Sequence, residues 1–265
     1  MTARNWLTIF RGGGKESTLP APPLGTSGSL PVPVTARDVK KLVRQAVVTR
    51  PRLVVAFDAT ASRQPAWDAF SQPLQDDLLG ALPGELDVAL AVHGGSRVHT
   101  FTGFTSDASE LRDLAAGVRC AAGTTRLLDI LDRVVKLRRV GVVLYVGDCF
   151  EESHKRAMRL ADELLLNGTR VIILHDTSGF GASGLPWQIP VMPGAAAFAA
   201  LAERTGGAVL PFDPSSLDAL GELLQAVAVL AVGDIELLKA KEATMPAATL
   251  LLEHLSNRKP IGRSQ

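Results

Sequence analysis

The sequence predicts an α/β fold in which a largely parallel sheet is covered by helices on both faces. Apolar, valine-rich runs of strand length alternate with segments whose apolar residues recur at helical spacing. This alternation is typical of parallel strands joined by right-handed helical crossovers. One pair of runs, 86–92 and 98–104, is joined only by the glycine-containing turn 93–97, which predicts an antiparallel hairpin at one edge of the sheet.

Each element can be placed along the chain by its own signals. About six strands are expected from apolar runs that end in turn or acidic residues, at 53–58, 86–92, 98–104, 140–146, 171–174 and 208–212. Helices are expected after the N-cap Thr35, after Pro65, after the capping box that begins at Asp107, at 127–135, from Glu151 to Leu165, at 195–204 and 215–232, and as two further helices in 234–257.

The chain of 265 residues is predicted to hold one domain of ordinary size with an extension at each end. Glycine and proline dominate residues 1–34, which predicts a flexible amino-terminal arm. Residues 35–232, with a core at about 50–232, are expected to form the α/β domain, and residues 233–265 a carboxy-terminal helical extension. A hydrophobic fraction of 46% and a charged fraction of 21% suit a globular core.

Composition argues against several classes of partner. A net charge of +1 provides no field that would gather nucleic acid or an anionic membrane. The longest apolar runs fall short of the roughly 20 residues that span a bilayer. Two cysteines are too few for a disulfide framework, and the first residues lack the apolar core of a signal peptide. We therefore expect a soluble protein of the reducing cytoplasm.

Oxygen-bearing side chains gather in three loops of the predicted sheet. Asp58, Thr60 and Ser62 follow the first strand, Thr124 lies in the loop before the 127–135 helix, and Asp148 follows the 140–146 strand. Carboxylates and hydroxyls are ligands for Mg²⁺ or Mn²⁺, whereas zinc prefers sets that include cysteine or histidine. Magnesium is usually held by only one or two carboxylates and keeps other positions open. A divalent cation at this corner is expected to take its last ligand from outside the chain.

In these residues the chain resembles the von Willebrand factor A (VWA) domain family. The family's metal-ion-dependent adhesion site (MIDAS) has the form Asp-x-Ser-x-Ser, then a threonine, then an aspartate, and Thr60 stands here in the place of the first serine. The segments 58–67 and 146–152 are similar to those of a bacterial, cytoplasmic branch of the family. The resemblance covers about residues 50–232.

The resemblance implies a Rossmann-like sheet in the strand order 3-2-1-4-5-6, with the hairpin strand at one edge. It implies that Thr60, Ser62 and Thr124 ligate the cation directly, with Thr125 as the competing threonine, and that Asp58 and Asp148 act directly or through waters. An aspartate or glutamate of a partner protein would complete the shell. Some bacterial relatives work beside hexameric ATPases or chaperone-like complexes, which makes such a complex a candidate partner.

Other interpretations of the same residues stay open. The hydroxyls after Asp58 are also typical of a helix N-cap, and Asp148 with Glu151 would suit a helix dipole. No complete catalytic constellation is present, so we expect no enzyme. The rival functions are a metal-dependent phosphoester hydrolase, which would have to recruit Glu151, Glu152 or Asp68, and an assembly protein with a vestigial metal site. Cys120 and Cys149 are expected near the rim of the site as inert thiols, and the histidines as surface or core residues.

Overall fold

A computed structural model describes residues 50–61, 64, 67–68, 85–176, 194–212 and 217–256. These residues belong to one of the two units into which the chain divides, Thr49–Gln265. The arm 1–34, the helix predicted after Thr35, most of the helix predicted after Pro65, and Ser62 lie outside the described residues.

Six strands form one mixed sheet in the order β3-β2-β1-β4-β5-β6. Five strands are parallel, and β3 is antiparallel to β2 at one edge. The α/β class, the strand order and the edge hairpin are therefore confirmed. The strands are β1 (Arg52–Asp58), β2 (Asp87–Gly94), β3 (Arg97–Phe101), β4 (Val140–Gly147), β5 (Arg170–Asp176) and β6 (Ala208–Phe212).

Both faces of the sheet are buried. In β1, Leu53, Val55 and Phe57 face one core cluster, while Val54 and Ala56 face the other. A strand with two apolar faces loses the alternation of an exposed strand, which explains its continuous apolar run.

The helices that cover the sheet are divided between these two clusters. We label those described in full α1 (Ala108–Ala116), α2 (Leu127–Val135), α3 (His154–Leu166), α4 (Ala195–Thr205), α5 (Leu217–Ala240) and α6 (Pro246–Ser256). Helices α1, α5 and α6 contribute to the cluster around Phe57, and α2, α3 and α4 to the opposite one. None of the helices in the described part of the chain is long and apolar enough to cross a membrane.

The carboxy-terminal helices differ in extent from the sequence prediction. Helix α5 continues past Val232 to Ala240, with a break in the helical backbone at Asp234 (φ 58°). Leu251 and Leu255 of α6 are buried in the same cluster as β1. Residues predicted as an extension thus add apolar surface to the core of the sheet domain.

Candidate metal centre

Strand order brings Asp58 and Asp148 together. Strands β1 and β4 are parallel neighbours, and Phe57 aligns with Val146, so both chains leave the sheet at the same edge. Asp58 ends β1 and Asp148 directly follows β4. One carboxylate oxygen from each, together with the sulfur of Cys149, lie within 4.8 Å of one another. Open α/β sheets bind ligands at this carboxyl edge.

The Asp58 carboxylate is fully buried and partly held by its own loop. Its Oδ1 accepts a hydrogen bond from the backbone N–H of Thr60 at 3.0 Å. This contact is the local turn expected of an aspartate that starts a loop. Thr60 itself is half-buried and the following Ala61 is exposed, so the loop opens to solvent just beyond the carboxylate.

His93, the β2 neighbour of Asp58, forms a buried neutral network behind the site. The backbone N–H of Arg126 donates to His93 Nδ1 at 3.3 Å, so the neutral ring carries its proton on Nε2 and donates it to the Tyr145 hydroxyl at 3.2 Å. Burial, with the nearby His99 and Arg126, lowers the pKa of His93 to about 4. The 3.7 Å approach of Nδ1 to Asp58 Oδ1 is therefore a contact with a neutral ring rather than an ion pair at pH 7.

Tyr145 supports this network from β4. It is fully buried, and its ring packs against Phe198 with centroids 5.7 Å apart. Burial and the negative charge of Asp58 raise the pKa of the Tyr145 hydroxyl well above its ordinary value. The hydroxyl stays protonated and is therefore a buried neutral group beside the site.

Backbone hydrogen bonds lock three loops together around Asp58. The N–H of Ala59 donates to the carbonyl of His93 at 2.7 Å, the N–H of Ala121 donates to the carbonyl of Ala59 at 2.8 Å, and the N–H of Gly95 donates to the carbonyl of Ala121 at 3.0 Å. At Gly123 a Cβ would lie 2.3 Å from the backbone nitrogen of Ser96, so only glycine allows this approach.

The two candidate threonines point in different directions. Thr124 is exposed, and its N–H and hydroxyl both donate to Ser96 Oγ, at 3.0 and 3.1 Å. Thr125 is 1% exposed, and its hydroxyl accepts from the N–H of Glu151 at 3.1 Å. Of the two, Thr125 is joined directly to the loop that carries Asp148. The assignment of Thr124 as a ligand stays a prediction, with Thr125 as the competing threonine.

Glu151 and Glu152 do not start the helix expected from them. That helix, α3, begins at His154 because Ser153 is its N-cap and accepts the N–H of Arg156 at 3.3 Å. The two glutamates instead face the amino terminus of α2, whose own cap residue Arg126 makes no side-chain cap bond. Glu151 accepts from Thr125 N–H at 3.2 Å and Glu152 from Leu128 N–H at 3.1 Å. Glu152 therefore caps α2 from a distant part of the chain, and Glu151 holds the residue just before the N-cap.

This arrangement predicts that the stability of the fold depends on pH, because Glu152 ionises at a different pH in the folded and the unfolded chain. Burial raises the pKa of Glu152 from 4.5 to about 7, with the charge of Asp129 adding to the rise while hydrogen bonds from α2 amides oppose it. The folded protein keeps a proton that the unfolded chain has already lost, so stability falls as pH rises from about 4.5 to about 7.

Glu152→Gln keeps an acceptor for Leu128 and removes that ionisation. We expect the variant to be more stable than wild type by about 1–2 kcal/mol at pH 8, after discounting for partial exposure, and nearly equal to it at pH 5. Urea unfolding at the two pH values measures the difference. An equal difference at both would show that the carboxylate is not the cause.

The surroundings of Asp148 fit a cation. Its backbone carbonyl accepts from His175 Nε2 at 3.1 Å, which ties the loop to β5. Asp148 Oδ1 and Asp58 Oδ2 are buried atoms that accept no hydrogen bond from the described residues, although both residues make other interactions. Two carboxylates with oxygens within 4.8 Å of each other at a sheet edge suit a divalent metal.

Cys149 lies closer to the site than the sequence suggested. The all-oxygen ligand set predicted from the motif included no cysteine, yet the Cys149 sulfur falls within the 4.8 Å cluster. Its thiol donates a hydrogen bond to Asp148, and burial together with the Asp148 charge raises its pKa. Neither cysteine is in a disulfide, and Cys120 packs against the apolar core.

Of the predicted ligands, the structure brings Asp58 and Asp148 together. Thr60 lies two residues after Asp58 in the same loop and is half-buried. Sequence reasoning missed His93 and Tyr145, the buried neutral pair next to Asp58. The available signal was that His93 comes just before the glycine turn at the end of β2. Using it required the register of β1 and β2, which pairs His93 with Asp58.

No protein-family model and no curated protein matches the chain. Solved structures do share its fold. Proximal thread matrix protein 1 from the mussel byssus, in the structure with a zinc-occupied MIDAS motif, aligns with a TM-score of 0.51 at 12% identity, over 68% of this chain and 46% of its own. The pilus adhesin SpaC from Lactobacillus rhamnosus GG aligns with a TM-score of 0.51 at 12% identity, over 70% of this chain and 31% of its own.

The VWA domain of SpRpn10 aligns with a TM-score of 0.48 at 13% identity, over 65% of this chain and 94% of its own. This chain spans less than half the length of the mussel protein and of the adhesin. At 12% identity, the two structures with TM-scores of 0.51 show that they share the α/β fold of this chain, and nothing finer.

Proposed function

We propose that this chain is a metal-dependent protein-interaction module. A divalent cation bound between Asp58 and Asp148 would be presented at the carboxyl edge of the sheet and completed by an acidic side chain of a partner protein. The observation that carries the proposal is the convergence of two carboxylates from neighbouring strands, within 4.8 Å, at that edge. The zinc-occupied MIDAS motif of the mussel protein, which shares the fold, supports it.

The remaining ligands follow from the loops around the carboxylates. Thr60 and Ser62 are proposed to add hydroxyls from the β1 loop, and a threonine from the loop before α2, Thr124 or the inward-facing Thr125, to add a third. Mg²⁺ or Mn²⁺ is the proposed cation for the oxygen donors. The ion would neutralise the two negative charges and offer an open coordination position at the carboxyl edge of the sheet.

A partner carboxylate is the natural last ligand. Two carboxylates only balance a doubly charged ion, and a magnesium shell of six positions leaves room for an outside oxygen. Thr124 and Ala61 are exposed on the two loops that border the site, so a partner side chain can reach it. An ATPase or chaperone-like complex that offers an aspartate or glutamate remains the candidate partner.

A role in binding is favoured over catalysis by what the nearby acids do. Glu151 and Glu152, the residues a hydrolase would have to recruit, accept hydrogen bonds from the backbone amides of Thr125, just before α2, and of Leu128 in α2. Asp68 is exposed and accepts from Gln64 at 2.8 Å. A general base needs to reach an attacking water at hydrogen-bond distance, and these contacts direct all three acids elsewhere.

Calorimetric titration of the full chain with MgCl₂ and MnCl₂ tests the proposal. We expect one site, and we expect a glutamate-containing peptide to bind only when metal is present, with its glutamine counterpart as the control. The absence of binding at millimolar metal, or peptide binding that persists in EDTA, would contradict it. Hydrolysis of a generic phosphoester that disappears in Asp58→Ala would favour the enzyme instead.

A further inference from the structure

The thiol of Cys149 is placed as a metal ligand would be. Cys149 directly follows Asp148, is half-buried, and holds its sulfur within 4.8 Å of ligand oxygens from both Asp58 and Asp148. The cluster therefore combines two carboxylates and a thiol from the ends of two adjacent strands. The fully buried Asp58 makes up the inner side of the cluster.

The Cys149 sulfur and the Asp148 carboxylate lie side by side at the end of β4. A metal between them would be held by a charge that the carboxylates and the sulfur share. Strand β5 holds this loop in place, because its His175 Nε2 donates to the Asp148 carbonyl at 3.1 Å.

A sulfur ligand changes which metals the corner prefers. Thiolates bind zinc and cobalt well and are poor ligands for magnesium, whereas carboxylates accept either class. Zinc takes sulfur at about 2.3 Å and carboxylate oxygen at about 2.0–2.2 Å, usually in four-coordinate geometry. Two carboxylates and one thiolate would fill three of the four positions around zinc, without the hydroxyls proposed above for Mg²⁺ or Mn²⁺, and would leave one position open.

We propose that Cys149 is a third protein ligand that, with Asp58 and Asp148, makes this site bind Zn²⁺ in preference to Mg²⁺. On binding, the S–H bond breaks, a sulfur–metal bond forms, and the proton passes to solvent without any change of oxidation state. The open fourth position stays available to an outside carboxylate. The inference rests on the proposed cation site and adds to it a ligand and a metal preference.

Cys120 provides a matched control. It is the other cysteine of the chain, is also half-buried, and packs against the apolar core cluster. A thiol effect that depends on the site should follow Cys149 alone. Any general effect of thiols, such as metal capture by an accessible cysteine, should follow both.

The test uses Co²⁺ as a spectroscopic probe with the full chain, and Zn²⁺ affinity by competition with a chelator dye. Wild type and Cys120→Ser should show a thiolate-to-cobalt charge-transfer band in the near ultraviolet, and Cys149→Ser should lack it. Zn²⁺ affinity should fall in Cys149→Ser by at least about 10–100-fold, the loss that even an outer-sphere partner of a metal causes. Mn²⁺ affinity should stay within about threefold, because manganese favours the oxygen ligands, which also shows that the variant is folded.

Two results would overturn the inference. Cobalt binding without the charge-transfer band, or equal Zn²⁺ affinity in wild type and Cys149→Ser, would remove the thiol from the ligand set while intact Mn²⁺ binding left the proposed function standing. If neither Mn²⁺ nor Co²⁺ binds to wild type, the proposed function fails together with the inference.

Discussion

Asp148→Asn should lower the affinity for Mn²⁺ by about 100-fold or more and, in metal-free buffer, raise the melting temperature. The substitution keeps the shape of the side chain and removes one of two negative charges whose oxygens lie within 4.8 Å. Without a cation these charges repel at short range, so the residue proposed to hold the metal would destabilise the metal-free fold. Relief of about 1 kcal/mol would raise the melting temperature by about 2–4 °C in a domain of this size.

Calorimetry with MnCl₂ and thermal unfolding in EDTA measure the two effects on the same samples. Asp132→Asn is the matched control, because Asp132 lies in α2 and pairs with Lys136 at the surface. It should leave Mn²⁺ affinity unchanged. A variant at position 148 that binds Mn²⁺ as wild type does, or that melts lower than wild type in EDTA, would show that this carboxylate is not part of a cation site.

Gly207→Ala should destabilise the fold by about 3 kcal/mol or more. A Cβ at this position would lie 1.8 Å from the carbonyl oxygen of Val171 and 2.6 Å from its carbonyl carbon. Both atoms belong to the backbone of β5, so no flexible side chain can move aside. Gly207 also donates to the carbonyl of Ala202 at 2.8 Å, which fixes the chain between α4 and β6. Overpacking of side chains typically costs about 1–3 kcal/mol, and a backbone clash exceeds that range.

Urea unfolding followed by circular dichroism gives the change in free energy. Gly103→Ala is the control, since a Cβ there would meet nothing within 4 Å. Its effect should stay within about 0.5 kcal/mol. If Gly207→Ala unfolded at the same urea concentration as wild type, the close approach of α4, β5 and β6 would be wrong.

Much of the fold could be predicted because the strands are buried on both faces. A continuous apolar run such as that of β1 is stable mainly in the interior of a sheet. The short turn at 93–97 brings β2 and β3 side by side, so they pair as a hairpin. The order of the strands then follows from the family resemblance. Element ends were less predictable: α3 starts at His154 because Ser153 rather than Glu151 provides the cap.

What the sequence by itself determined at the site is the pair of carboxylates. An acid at the end of β1 and another just after β4 must share one sheet edge once those strands are parallel neighbours, whatever the loops do. This part of the prediction depended on strand direction, which the alternation of strands and helices implies, and on strand order, which the family resemblance implies.

Only the tertiary structure decided which neighbouring side chains face that pair. Adjacent loop residues follow no period, so the sequence does not reveal that Thr125 turns inward while Thr124 turns to Ser96. For the same reason it did not show that Glu152 caps α2, or that the Cys149 sulfur joins the two carboxylates. These directions are set by contacts between distant loops, and such contacts exist only after the sheet has formed.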